Sequence, residues 1–320
     1  MDRRALMLAT TAAAAGLVLG RPAWAQQAFA SMRMFIPAGP GGGWDGLGRA
    51  IETVLRGAGK VGSFQFENVG GAGGAVGLPR FIARRGQGDT LMVGGAVMVG
   101  AVLTNKTPVG LKDTTPIARL TEEAGVIVVP ANSPHQNIAA FMAALKANPG
   151  GVSVGGGSAG GIDHITLGLM LKAAGRNARE ASYVAYAGGG AAQAAIMGAQ
   201  VAAGISGLSE FSEQVKAGRM RALATTGETR TDPAIPTLKE SGVNVVTTNW
   251  RGVFGAPGIN AGQRDALVKL MSDMHALPSW QEMLKTRGWD DAFQVGEPFA
   301  KFIAENTAET EAVLKDLGLA

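Results

Sequence analysis

The sequence predicts an α/β protein of two lobes around a cleft, and three observations carry that reading. Short β-like runs alternate with helical runs across glycine-rich turns. The 320 residues amount to about two domains at roughly 150 residues each. Two extended apolar stretches, 124–130 and 243–254, interrupt the alternation and give the chain room to leave one lobe, build a second and return.

Composition narrows the class. With 46% apolar and 17% charged residues, the chain has enough apolar surface to fold and too little charge density for a disordered protein. Glycine, 48 residues, clusters in short loops. The absence of cysteine excludes disulfides, Cys-ligated metals, thiol catalysis and a lipidated N-terminal cysteine. The formal charge of +4 falls to +2 once residues 1–25 are set aside. No basic run accompanies it, so nucleic acid is not an expected partner.

In chain order, Asp2-Arg3-Arg4, an apolar stretch over 5–20, Arg21-Pro22 and Ala23-Trp24-Ala25 read as a signal peptide cut after Ala25. The paired arginines leave twin-arginine export open beside the general route, and an uncleaved anchor is the alternative. No later apolar run reaches the roughly 18 residues of a membrane span, so the expected product is a soluble protein of the periplasm. From residue 33 strands are expected at 33–36, 64–68 and 90–93, with helical runs at 44–55 and 72–83. The middle repeats the pattern, with strands at 152–155, 182–186, 201–206 and 221–225 and helices at 162–174, 191–197 and 210–217. Ile162, Ile165, Leu169, Met170 and Ala173 share one helical face, and Gly175 stops that helix. Pro298 opens a long amphipathic terminal helix carrying Phe299, Phe302, Ile303, Val313, Leu314 and Leu317. The expected division is a signal peptide at 1–25, one discontinuous lobe at 26–127 and 248–320, and a second lobe at 128–247.

Two glycine-rich loops draw the chemistry. Residues 37–45, PAGPGGGWD, lie between a strand and a helix. Gly41, Gly42 and Gly43 let the backbone approach a ligand, and the free N–H groups of the first helical turn favour an anion, phosphate or carboxylate. Trp44-Asp45 stands where a P-loop needs Gly-Lys-Ser/Thr, which argues against nucleotide. Asp45 has two roles open to it: capping the helix or pairing with Arg49, and contacting a polar ligand.

The second loop, GGGSAGG at 155–161, satisfies both G-x-G-x-x-G and G-x-S-x-G. The dinucleotide pattern lacks its acidic residue, because the next strand ends Tyr186-Ala187-Gly188 and Glu180 precedes it. A Ser158 hydrolase needs a later histidine. His164 lies on the same helix, which leaves His275. What both patterns share is a helix N-terminus with the Ser158 hydroxyl beside it, again suited to an anion. His135, His164 and His275 are widely spaced, so neither a metal site nor a cofactor is expected.

Several segments in the right order resemble one family. PAGPGGGWDGLGR at 37–49, NVGGAGGAVG at 68–77, TPIARL at 115–120, GSAGGIDH at 157–164, YVAYAGGGAAQAAIMGAQV at 183–201, KAGRMRALATTGETR at 216–230 and IPTLKESG at 235–242 are similar to the solute receptors of the tripartite tricarboxylate transporters, the Bug family. The resemblance implies a type II periplasmic-binding fold: two α/β lobes, joined by two crossovers, closing on a small organic acid. It also implies a non-catalytic monomer without cofactor, which delivers its ligand to membrane permease subunits. Matched residue by residue, it places ligand contacts at Pro40, Gly41, Gly42, Gly43, Trp44 and Asp45, at Gly95 and Ala96 in a loop over 94–99, and at Ser158, Ala159, Gly160, Gly161 and His164.

Two departures from the family bear on the ligand. Many relatives carry Asp where this chain has Ala202 and Ser206. A neutral Ser206 suits a second carboxylate better than a cationic group. Arg251 replaces a common aromatic and offers either a fork for the ligand's far carboxylate or a salt bridge. The wording is nearest the tricarboxylate branch and implies a citrate-like di- or tricarboxylate. The competing expectations are a receptor for an aromatic or neutral acid and a secreted serine hydrolase built on Ser158.

Overall fold

The computed structural model describes residues 28–320; the expected signal peptide, its arginines and the cleavage point after Ala25 lie outside the described residues. The chain opens with β1 (Phe29–Ile36), α1 (Gly43–Gly57), β2 (Val61–Asn68), α2 (Gly77–Ile82), β3 (Thr90–Gly95), α3 (Ala96–Thr104) and β4 (Thr115–Glu122). It continues with β5 (Gly125–Pro130), α4 (Ile138–Ala147), β6 (Val154–Gly156), α5 (Ile162–Ala173), β7 (Tyr183–Ala185), α6 (Gly189–Met197), β8 (Ala203–Gly207), α7 (Leu208–Lys216) and β9 (Met220–Thr225). It closes with β10 (Arg251–Gly255), α8 (Ala261–His275), α9 (Pro278–Arg287), β11 (Asp290–Val295) and α10 (Gly296–Leu317).

These strands form two mixed sheets, ordered β11-β4-β10-β3-β1-β2 and β7-β6-β8-β5-β9. The central strands β3, β8 and β10 are buried along their whole length, as strands covered by helices on both faces must be. α1 turns Trp44, Leu47, Ile51, Val54 and Leu55 onto the first sheet, where they join Met34, Ile36 and Met92. α5 turns Leu167, Met170 and Leu171 onto the second, against Ile127, Phe141 and Ile205. Among the described residues no helix is long and apolar enough to cross a membrane.

The sheets are joined by two chain crossings that run side by side. Glu123 N–H donates to the Asn249 carbonyl at 3.2 Å and Asn249 N–H to the Glu123 carbonyl at 2.8 Å, and Ala124 bridges antiparallel to Thr248. The first crossing is earlier than the sequence placed it: β5 begins at Gly125 and already belongs to the second sheet, whereas the expected change of lobe fell between 127 and 128. A third tie is α10. Its first half packs Phe299 and Ile303 into the first core, while Leu314 and Leu317 pack with Ile165 and Ala178 of the second lobe. Two α/β sheets around a cleft, linked by paired crossings, are the type II periplasmic-binding arrangement.

Two local expectations differ from the structure. The helix expected over 72–83 is broken: a short 3-10 turn at Ala72–Gly74 precedes α2. Gly71, Gly73 and Gly74 have φ of 135°, 61° and 92°, left-handed conformations that no continuous right-handed helix accommodates. The loop expected over 94–99 is the end of β3 and the start of α3. The α3 sequence AVMVGAVLT is apolar on every side, so it has no helical period to read.

Candidate functional site

Between the lobes lies a cavity of about 560 Å³, a volume that includes its solvent-open mouth. Four elements of the first lobe reach it: the β1–α1 loop through Pro37, Ala38 and Gly42, the start of α1 through Gly43 and Trp44, the turn before α2 through Gly71 and Gly73, and α3 through Val97. The second lobe contributes Gly157, Ser158 and Asp163 around α5, Ala187, Gly188 and Gly189 at the start of α6, and Ser206 and Glu210 at the β8–α7 junction. Asn249 and Arg251, from the return crossing and β10, form the back.

The lobes are closed around this space. A Cβ added to Gly73 would lie 2.9 Å from the Ser158 Cβ, and one added to Gly100 of α3 would collide with the Gly160 carbonyl oxygen. A Cβ on Gly42 would lie 4.0 Å from the Gly189 nitrogen, so the starts of α1 and α6 meet beside the cavity, whose wall both glycines join. Each brings the N–H groups of its first turn and about half a positive charge, and at α1 the Gly43 N–H already meets Glu210. Brought together in this way, they form a cradle for an anion.

Behind the cradle sits a buried ion cluster. Arg251, 1% exposed, pairs through Nη2 with Glu123, itself 1% exposed, and with Glu210 Oε1 at 3.4 Å. Burial raises the Glu210 pKa to about 7; Arg251 and the Gly43 N–H draw it down, while Glu123 and Asp163 push it up. Asp163 is raised to about 6, again chiefly by burial, against the Gly157 N–H and Arg251. Burial opposes the Arg251 charge, but Glu123 and Glu210 outweigh it and hold the guanidinium protonated. Orphaned polar atoms remain among these lining residues: Glu210 Oε2, Asn249 Oδ1, and Nε and Nη1 of Arg251.

The structure divides the residues singled out from sequence. Gly42, Gly43, Trp44, Ser158, Ser206 and Arg251 line the cavity. Pro40 and Gly41 lie outside its wall, and Asp45 serves the loop: it accepts from Gly41 N–H at 3.2 Å and Asn68 Nδ2 at 3.1 Å and faces Arg49 at 3.6 Å. Gly95 is pressed against the Trp250 backbone, and Ala96 N–H donates to the Trp250 carbonyl at 3.1 Å. Both therefore anchor β3 and α3, and Val97 is the residue that reaches the cavity.

Ala159, Gly160 and Gly161 also stay outside the cavity wall, because the second loop closes on itself. Asp163 Oδ2 accepts from Gly157 N–H at 2.8 Å, His164 Nδ1 from Gly160 N–H at 3.2 Å, and the Ser158 carbonyl from Gly161 N–H at 3.0 Å. His164 stacks on Tyr183 with ring centroids 4.2 Å apart, and burial lowers its pKa to about 4. His275, the histidine left for a Ser158 hydrolase, pairs instead with Asp291 at 2.8 Å. Among the described residues no cluster of three or more His, Asp or Glu is arranged to hold a metal.

Arg251 is thus no free fork: its Nη2 is taken by two glutamates. Sequence reasoning passed over Glu123, Asp163, Glu210, Asn249 and the glycines at the α6 start. A signal for Glu210 was present. It stands just past the C-terminal end of β8, where open α/β sheets place their ligands.

Two α/β lobes closed on a cleft are the architecture of the periplasmic solute-binding proteins. The model of the tripartite tricarboxylate transporter family receptor matches residues 62–319, and the chain belongs to that family. It is similar to the "UPF0065 protein in gbd 5'region" of Cupriavidus necator, 29% identical over 79% of this chain and 77% of that protein. The fold matches the periplasmic binding protein BugD at a TM-score of 0.82 with 23% identity, covering 91% of this chain and 98% of BugD. It matches the R. palustris protein Rpa4515 with adipate at 0.82 and 21% identity, covering 92% and 98%.

Proposed function

We propose that this chain is the periplasmic capture subunit of a tripartite tricarboxylate transporter, exported by its N-terminal signal. Its lobes close over a small organic acid, and the closed form hands that acid to the membrane subunits. The observation that carries the reading is the pair of helix N-termini, α1 and α6, brought together at the cavity between the lobes. One carboxylate between them accepts hydrogen bonds from both lobes at once, so ligand binding and closure stabilise each other. Ser158 adds a hydroxyl at the same wall.

The sequence-based expectation of a citrate-like di- or tricarboxylate drew on Arg251 as a fork for the far carboxylate. With Arg251 held by Glu123 and Glu210, support for a second carboxylate comes from the family's name and from adipate in the R. palustris protein. Support for the first comes from the cradle itself.

The test is a thermal-shift screen of the purified protein against mono-, di- and tricarboxylates, amino acids, aromatic acids and nucleotides. A ligand at one hundred times its Kd adds about 2.7 kcal/mol of stability, a readily measured shift. A selective response to small carboxylates supports the receptor reading; a response confined to nucleotides overturns it.

A further inference from the structure

We propose that Glu210, with Asn249, makes this receptor select a monocarboxylate bearing a hydrogen-bond-donating nitrogen, an ammonium or a carboxamide, in place of a second carboxylate. The inference rests on the carboxylate-receptor reading above and names the ligand's other end.

Charge at the back of the cavity is the first argument. Glu123, Asp163 and Glu210 surround a single guanidinium, that of Arg251. With all three carboxylates ionised, two negative charges have no side-chain partner. The helix N-termini of α1 and α6 together supply about one positive charge, and Glu210, which passes both helix starts, shares it with one ligand carboxylate. A second carboxylate of the same ligand would meet Glu210 and Asp163, and the one guanidinium beside it is already shared between Glu123 and Glu210.

The orphaned atoms are the second argument, and they are independent of the charge count. Asn249, 7% exposed, and Arg251, 1% exposed, belong to the cavity wall, and like Glu210 they carry buried polar atoms that have no partner in the protein. Glu210 Oε2 and Asn249 Oδ1 are acceptors, so they ask for a donor. Buried acceptors left unpaired are costly, and a site built around them rejects analogues lacking the donor. The unused N–H groups of Arg251 remain for the ligand's own oxygens. An ammonium satisfies the acceptors and reduces the excess charge; a carboxamide satisfies the acceptors and leaves the charge unchanged. A carboxylate does neither.

Glu210 is held at this position by contacts from both lobes. Gly43 offers it a backbone N–H, and a Cβ on Gly43 would come within 2.7 Å of its Oε1. Glu210 Oε2 lies where a Cβ of Gly189 would stand. Both helix starts are therefore glycine where the Glu210 carboxylate passes.

Calorimetry on the purified protein at pH 8 with three matched acids, glutarate, 5-aminopentanoate and glutaramate, tests this. The expected result is that the amine and the amide bind about tenfold or more tighter than glutarate, and that Glu210→Gln shrinks the ratio of amine to glutarate to within about threefold. Asn249→Ala, a second variant that leaves the ion-pair side chains in place, is expected to weaken the amine and the amide several-fold more than glutarate. Glutarate equal to or tighter than both in the wild type overturns the inference and leaves the carboxylate receptor standing, as does an unchanged ratio in Glu210→Gln. Failure of these and of every other small carboxylate to bind overturns both readings together.

Discussion

Oε1 of Glu210 lies 3.4 Å from Nη2 of Arg251, and the pair joins the second lobe, through α7, to the first, through β10. The closed cleft is therefore held by the protein's own ion pair as well as by glycine contacts. The same guanidinium also binds Glu123 at the crossing, so one residue ties hinge, cleft wall and both sheets together.

Removing that cation strands two buried carboxylates. Arg251→Ala is expected to destabilise the fold by about 3–5 kcal/mol, the cost of breaking one side of a buried pair. Arg251→Ala combined with Glu123→Gln should recover part of the loss. Chemical denaturation followed by circular dichroism checks both; a loss below about 1 kcal/mol in the single variant would mean that the pair is solvated.

Acidity should stabilise the protein over a defined window. Glu210 and Asp163 have folded pKa values of about 7 and about 6, raised mainly by burial, above their ordinary carboxylate values. Between those ordinary values and the raised ones the folded state binds more protons than the unfolded, so stability falls as pH rises through about 6 to about 7. The expected outcome is a higher Tm at pH 5.5 than at pH 8, with a flatter profile in Glu210→Gln. The opposite slope over this window would show both carboxylates ionised at no cost.

Closure depends on contacts where no side chain fits. Gly100→Ala puts a methyl group against the Gly160 carbonyl, which holds the lobes apart without touching the cavity wall. The expected result is a folded protein, more open by small-angle scattering, with ligand affinity reduced about tenfold or more as the closed population shrinks. Unchanged affinity would show that α3 and the second loop need not meet.

Ser158→Ala removes one hydroxyl from the wall. Loss of about 1 kcal/mol, roughly fivefold in Kd, is expected for a neutral hydrogen bond to the ligand, measured by calorimetry. The variant should leave the Tm of the unliganded protein nearly unchanged.

Much of the fold was legible because it obeys simple periods. The strand-to-helix turns at Gly43 and Gly161 follow from glycine placement. The α5 face is only partly the expected one: Met170 reaches the second sheet, but beside Leu167 and Leu171, while Ile165 packs against α10 and Ala173 is exposed. α3 was not, since a nine-residue helix buried on all sides carries no alternation. At the site, the loops were found but their occupancy was not. GGGSAGG reads as an open anion site until Asp163 and His164 are seen taking its N–H groups. The fate of Arg251 was equally hidden. Its partners stand 128 and 41 residues earlier in the chain, a pairing that the two sheets and their crossings create and no local pattern announces.

The C-terminal helix has a mechanical consequence. Two strands of chain at a hinge permit both a swing and a twist between the bodies they join. α10 adds a stiff rod, fixed at one end by Phe299 and Ile303 and at the other by Leu314 and Leu317 against Ile165, with Lys172 and Asp316 paired beside them. This third attachment beside the paired crossings resists twisting of one lobe on the other, so opening proceeds as far as α10 bends or slides on the second lobe. The jaws then meet in the same register at every cycle, and the glycines at 73 and 100 arrive opposite Ser158 and Gly160 each time.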